Sequence, residues 1–160
     1  DQATAVIVKL SHIMRYMIYE ANKPTVRLQQ EIDYIRDYLD LEAIRLNRRF
    51  DLQFHTGQVD TNLDIAPLLI IPLVENAFKH GISDQQEENW LHIKLEGNAQ
   101  RLSVQVSNSL KPVALRNQAP SGLGLDNLRR RLELSYPGRH RLDIQSSATE
   151  FSAALTLDLS

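Results

Sequence analysis

The chain has 160 residues, enough for one ordinary domain plus an appendage and too few for two full domains. It is 42% hydrophobic and 24% charged with a net charge of −2, which excludes a disordered chain and gives no overall field for nucleic acid or an anionic membrane. Cysteine is absent, so disulfides and zinc–thiolate sites are excluded as well.

No run approaches the ~18 apolar residues of a membrane-spanning helix. The longest, "IAPLLIIPLV", is short and interrupted by proline. There is no signal peptide and no initiator Met, and the chain opens inside a helical pattern, so it reads as a fragment of something longer.

Val6, Leu10, Ile13 and Met17 recur at helical spacing, and Met14 and Ile18 widen the stripe. This predicts an amphipathic helix with a coiled-coil-like seam. "ANKPT" breaks it at Pro24. Leu28, Ile32, Ile35 and Leu39 repeat the spacing, predicting a second helix that runs to about Asn47 and ends in the basic residues Arg45, Arg48 and Arg49. The two helices form either a hairpin or a long bent arm. Their apolar seam either pairs between chains or folds back onto the rest.

After Arg49 the period changes. Phe50, Leu52 and Phe54 alternate as in a half-buried strand, and the same signal returns in "LHIKLEG", "RLSVQVSN", "RLDIQSS" and "FSAALTLDL". Two helical patterns interrupt the strands. One opens at Pro67 or Pro72; the other starts in "GLGLDNLRRRLELSY" and stops at Pro137-Gly138. "SDQQEEN" and "SLKPVALRNQAPS" read as loops. The fold class expected is α+β: a two-layer α/β sandwich with helices on one face of the sheet, preceded by a helical arm. The boundary falls near Arg49, giving a helical region 1–49 and a sandwich 50–160.

The first interrupting helix carries "PLVENAFKHG", Pro72 to Gly81. On it Asn76, Lys79 and His80 share one face, while Leu73, Ala77 and Phe78 supply the buried side. An amide oxygen can ligate Mg²⁺, which keeps positions for phosphate oxygens, and a lysine supplies a point charge for them. The same spacing also suits a helix end whose polar residues cap and solvate it. The second helix follows "SGLGLDNL", a Gly-x-Gly. Gly122 and Gly124 permit close backbone approach, and the following helix N-terminus offers N–H groups to an anion. A plain flexible turn fits equally. The pattern is neither a P-loop nor a dinucleotide fingerprint.

Together the two stretches resemble the N box and the glycine box of the GHKL ATP-binding superfamily. More closely, the chain is similar to the C-terminal part of the LytS-type sensor histidine kinases. "LSHIMRYMIYE", "EIDYIRDYLDLEAIRL", "IPLVENAFKHGI" and "GLGLDNLRRRLELSYPG" follow that family's pattern in order over nearly the whole chain. The resemblance implies a Bergerat-type sandwich with a mixed sheet, and ATP and Mg²⁺ as cofactors. Asn76 would hold the Mg²⁺ that bridges the phosphates, and Lys79 and His80 would face phosphate or ribose. Gly122 and Gly124 would form the hinge of a short, mobile lid spanning 109–121, with backbone meeting the phosphates, and Leu123 and Leu125 would join the nucleotide-binding residues. Asn127 would sit near them in the next helix.

The sequence departs from the family pattern at two places. Asn108 stands where an Asp accepts a hydrogen bond from the adenine amino group, and the glycines that follow are missing. An amide oxygen can still accept that bond, but a turned amide can donate, which predicts weaker and less base-selective binding. Pro72 stands where the hydrolysing branch carries a water-activating Glu, and Glu75 projects ~100° away from Asn76 on the helix. The resemblance then implies phosphoryl transfer to a protein histidine with little ATP hydrolysis.

The acceptor histidine of the family lies in a "PHFLFN"-like stretch, which this sequence lacks. His12 reads as a surface or interface residue, and His55, His92 and His140 as structural. Trp90 reads as a core-edge anchor. Arg129 and Arg130 read as a solvated helix face, with Arg131 a candidate to point back at the nucleotide. The implied partners are a second copy in a homodimer and a response-regulator receiver domain, in a membrane-anchored protein whose cytoplasmic portion this is. Two rivals stand beside this reading: a degenerate module that has lost ATP, and another GHKL ATPase or protein kinase, against which the helical arm argues.

Overall fold

The computed structural model describes residues 1–46, 50–84, 86–111 and 123–160. The first helix, α1 (Gln2–Arg15), is capped by the Asp1 carboxylate, which accepts from the Ala3 N–H at 3.1 Å. It ends in a single π turn, Tyr16–Glu20, closed by the Ala21 N–H donating to the Tyr16 carbonyl at 3.0 Å. After the break, a two-residue strand β1 (Val26–Arg27) leads into α2 (Leu28–Leu46).

α1 and α2 form the hairpin rather than the bent arm. Lys9 reaches Asp40 at 2.7 Å and Asp37 at 3.4 Å, His12 faces Asp37 at 3.4 Å, and Tyr16 meets Glu31. These partners run in opposite directions along the two helices, as an antiparallel pair requires. The predicted seam of α1 divides. Ile13 packs on the core, whereas Leu10, Met14, Met17 and Ile18 are exposed, so the stripe does not fold back.

The remaining strands are β2 (Asp51–Val59), β3 (Asp64–Ile65), β4 (Trp90–Asn98), β5 (Arg101–Ser109), β6 (His140–Ser146) and β7 (Glu150–Asp158). The short β3 pairs with β1, Val26 against Ile65. The others form a five-stranded sheet in the order β2-β4-β5-β7-β6, with β2 parallel to β4 and all other neighbours antiparallel. The sheet is therefore mixed, as expected. Its inner face is apolar at alternate positions: Leu91, Ile93, Leu95, Leu102, Val104, Val106, Leu155 and Leu157 are all buried.

Helices α3 (Ile71–His80) and α4 (Leu123–Ser135) complete the layer that covers this face. Leu128 and Leu132 of α4 are fully buried. The core is continuous from Leu28, Ile32, Ile35 and Leu39 of α2, through Leu69, Ile70 and Leu73, to the sheet. Hydrophobic packing thus runs across the boundary expected at Arg49. Arg48, Arg49, Gly122 and most of the lid segment lie outside the described residues.

Candidate functional site

α3 starts after Ile70 and carries Pro72 in its first turn, where an N–H has no intrahelical acceptor to lose. Ile71, Leu73, Val74, Ala77 and Phe78 are buried, and Phe78 packs edge-on against Tyr38 and Phe50. That burial fixes the rotation of the helix. Asn76 and His80 are left half-buried and Lys79 exposed. The Asn76 amide and the Lys79 ammonium make no hydrogen bond or ion pair among the described residues.

The helix ends at Gly81, whose N–H donates to the Ala77 carbonyl at 2.8 Å. Its backbone is right-handed, so torsion does not demand glycine; space does. A Cβ there would collide with Asn108 Nδ2, with the Ser109 carbonyl and, at 2.7 Å, with the Ala77 carbonyl. This close approach seats the end of α3 against the end of β5. The Lys111 backbone N–H donates to the His80 carbonyl at 3.3 Å, and Lys111 Nζ donates to the Lys79 carbonyl at 2.9 Å.

Asn108 is 1% exposed. Its Nδ2 donates to the Ser109 carbonyl at 2.7 Å, and its Oδ1 is buried with no partner among the described residues. Because a carbonyl can only accept, this bond fixes which end of the amide is which. The amide expected to turn freely is oriented, with its acceptor left over. His80 Nε2 is likewise buried and unpartnered. Burial first, then the Lys79 and Lys111 charges, hold the imidazole below its ordinary range, so it is neutral at neutral pH.

α3 and α4 touch each other on the same face of the sheet. α4 and the residue that follows it are fastened to the segment before α3: Ala66 N–H donates to Tyr136 Oη at 2.9 Å, and Arg131 Nη1 donates to the Leu68 carbonyl at 3.2 Å. Arg131 therefore points to that segment. Its charge also acts on Glu75, which has no ion pair among the described residues and whose carboxyl is raised by desolvation against that attraction. Gly124 and Asn127 lie in the exposed first turns of α4, with Leu125 half-buried between them. Gly124 has no positive φ, and a Cβ there would meet nothing, so internal packing does not require that glycine.

The other histidines have local partners. His92 stacks on Trp90 and faces Asp51 at 3.0 Å; His140 Nδ1 lies 2.7 Å from the Tyr136 carbonyl. His55 sits exposed on β2 beside Gln53. Two cavities lie away from the α3 residues. One, about 430 Å³, is lined by Arg101, Arg139, Arg141 and Asp158 at the opposite end of β5 and β7; the other, about 340 Å³, lies between α1 and α2.

Among the described residues, sequence reasoning missed a buried acidic side chain, Glu31, whose carboxyl is raised by desolvation. Glu31 is 1% exposed and connects α2 to Tyr16 and to the turn before α3. Its position three residues after Leu28 and one before Ile32, on the apolar face of α2, was the available signal.

Chemically, the set offers a buried acceptor, a neutral imidazole, an ammonium and a half-buried amide. The acceptor at Asn108 matches an exocyclic amino group. The amide oxygen of Asn76 is the hard donor that magnesium takes, and the described residues hold no cluster of His, Asp or Glu able to bind a metal unaided. A magnesium ion at this place would draw its other ligands from water and from an anionic ligand.

The mixed sheet with its one-sided helical layer is the fold of histidine-kinase catalytic domains. The catalytic domain of histidine kinase ThkA superimposes with a TM-score of 0.60 at 18% identity, over 84% of this chain and 94% of that one. The histidine kinase domain of the blue-light-activated kinase EL346 from Erythrobacter litoralis gives 0.60 at 17%, over 99% and 75%. A family model described as histidine kinase matches residues 1–50.

In sequence, the chain is similar to the sensor histidine kinase/phosphatase LytS of Staphylococcus aureus, 25% identical over 161 residues, and to the sensor protein LytS of Staphylococcus epidermidis, 26% identical over 158. These alignments cover 93% and 92% of this chain but only 28% and 27% of the relatives. The LytS-type resemblance carried by the two motifs thus extends along nearly the whole chain. No helix among the described residues is long and apolar enough to cross a membrane.

Proposed function

We propose that residues 50–160 are the ATP-binding catalytic region of a two-component sensor histidine kinase, preceded in 1–49 by part of its dimerisation helices. The observation that carries this reading is the buried, unpartnered acceptor of Asn108, oriented by Ser109 and pressed against the end of α3. Leaving such an atom unsatisfied costs about 1–3 kcal/mol, and an adenine amino group would satisfy it.

When bound, Mg²⁺·ATP supplies the transferable phosphoryl group and the metal charge that offsets its anionic oxygens. Asn76 is the residue that would hold the metal, through its amide oxygen. Lys79 presents a cation to the phosphates. His80, held neutral, donates or accepts one hydrogen bond without adding charge. Gly122 and Gly124 leave the backbone before and within the first turn of α4 bare of side chain, so that an anion can come close to it. Leu125 and Asn127 belong to the same surface, and Leu123 stands between the two glycines in sequence. Pro72 offers no base to activate water where the hydrolysing branch carries a Glu, and Glu75 projects ~100° away from Asn76, so transfer to a protein histidine would be favoured over transfer to solvent.

That acceptor histidine belongs to a segment other than residues 1–160. In the full-length protein the partners are a second copy of the chain and a response-regulator receiver domain, with the sensor anchored in a membrane and this portion in the cytoplasm. One structural neighbour, ThkA, is described in complex with the response regulator TrrA.

Titration with a fluorescent ATP analogue tests the reading. Binding that strengthens with Mg²⁺, and loses that dependence in Asn76→Ala, is expected. Incubation with γ-labelled ATP should leave the chain without acid-labile phosphate. The substitution of Asn for Asp at 108 favours the degenerate-module alternative, which predicts no binding under either condition. Steady ATP turnover would instead assign the chain to the ATPase branch.

A further inference from the structure

The segment that delivers the chain into α3 contains a strained residue. Leu68 has φ 60°, a left-handed conformation that a leucine adopts only when its surroundings impose it. Glu31 reaches this point from the first turn of α2. Its Oε1 accepts from the Leu68 N–H at 2.7 Å, and the neighbouring Leu69 backbone acts on the same carboxylate in the direction that favours its ionised form. Arg131 of α4 takes the Leu68 carbonyl. The peptide groups on both sides of the strained residue are thus gripped from two different helices.

The other oxygen of Glu31 accepts a hydrogen bond from the Tyr16 hydroxyl. Tyr16 begins the π turn and is the one buried side chain that residues 2–20 contribute to the core. Its ring rests on Tyr34, 4.8 Å between centroids. Any displacement of α1 along α2 must therefore move, or break, a bond to the carboxylate that holds the turn.

We propose that Glu31 is a positioning residue for the nucleotide helix: its carboxylate clamps the left-handed turn at Leu68, which sets α3 in place, and through Tyr16 it ties that turn to the first helix of the hairpin. The clamp is a property of the turn itself; its consequence for Asn76, Lys79 and His80 rests on the nucleotide reading. An apolar side chain of similar size at 31 would fill the space but leave the Tyr16 hydroxyl and the Leu68 N–H without their acceptor, which is destabilising for each buried group left unpaired. It would not hold the turn. This separates positioning from packing.

The experiment compares Glu31→Met, Glu31→Gln and Tyr16→Phe with the unmodified chain by native-state amide hydrogen exchange, and by titration with Mg²⁺ and the fluorescent ATP analogue. In Glu31→Met the Leu68 and Leu69 amides should exchange about tenfold faster or more, as loss of hydrogen bonds to a charged acceptor implies. Protection in α3 should fall with them, and the analogue's Kd should rise by a similar factor. Glu31→Gln, which keeps an acceptor oxygen, should fall between. Tyr16→Phe removes one hydroxyl, keeps the test available should Glu31→Met fail to fold, and should speed the same amides about threefold. Unchanged exchange at Leu68 and Leu69 in both Glu31 variants, or in Tyr16→Phe if neither folds, would overturn the clamp. Changes in the Glu31 variants with none in Tyr16→Phe would remove the link to α1. Loosened amides in a protein whose unmodified form binds no analogue would keep the clamp and remove the nucleotide reading.

Discussion

In the proposed nucleotide site, Asn108 would set the terms of base recognition. Its Nδ2 is committed to the Ser109 carbonyl, so only Oδ1 is left to face a ligand. The relaxed base choice expected from a turning amide does not suit an amide tied in this way. Asn108→Asp would set a carboxylate oxygen against the Ser109 carbonyl, lose the bond and bury a charge. We expect it to destabilise the fold by about 1–3 kcal/mol in urea denaturation without improving the preference for ATP over GTP. A more stable variant with a sharper preference would contradict this. His80 gives a second residue-scale prediction. Its folded pKa is lowered, so the unfolded chain binds the proton more readily. Stability is complete above the unfolded value of about 6.5 and declines as pH falls from there toward the folded value. The urea midpoint should therefore drop more between about pH 7.5 and about pH 5.5 than that of His80→Gln. Equal drops would contradict the assignment. Lys79 and His80 could be placed on one face from spacing alone. The oriented amide could not, because it depends on a neighbouring carbonyl and on Gly81 being small enough to admit it.

At the scale of elements, period was sufficient for the long pieces. The alternation in "RLSVQVSN" and "FSAALTLDL" gives β5 and β7, and the apolar spacing gives α2, α3 and α4. It failed for β1 and β3, whose two-residue ladder is shorter than any period. It could not resolve which half of the α1 stripe turns inward, since neighbouring positions on a helix differ by only ~100°. Ile13 packs on the core, leaving Leu10, Met14, Met17 and Ile18 uncovered. That row is the face through which two copies would pair. The chain should sediment as a dimer at micromolar concentration, and Leu10→Glu with Met14→Glu should make it monomeric with unchanged circular dichroism. A monomeric unmodified chain would contradict pairing through α1.

At the scale of the whole molecule, the helical hairpin and the sandwich differ in sequence period but share one core, because α2 buries Leu28, Ile32, Ile35 and Leu39 against residues on the far side of Arg49. Composition shifts locate a change of secondary structure, and contacts across such a change leave no periodic trace. The same holds for Glu31, whose bond to the Leu68 N–H joins residues 37 positions apart. The central claim is that α3 and the end of β5 form a single nucleotide site. The most direct measurement follows the side-chain amide resonances of Asn76 and Asn108 by NMR during titration with ATP, with and without Mg²⁺. Both should shift with the same saturation midpoint, Asn76 only when Mg²⁺ is present, while Asn98 at the other end of the sheet stays still. Resonances of Asn76 and Asn108 that do not move at saturating ATP and Mg²⁺ would contradict the account.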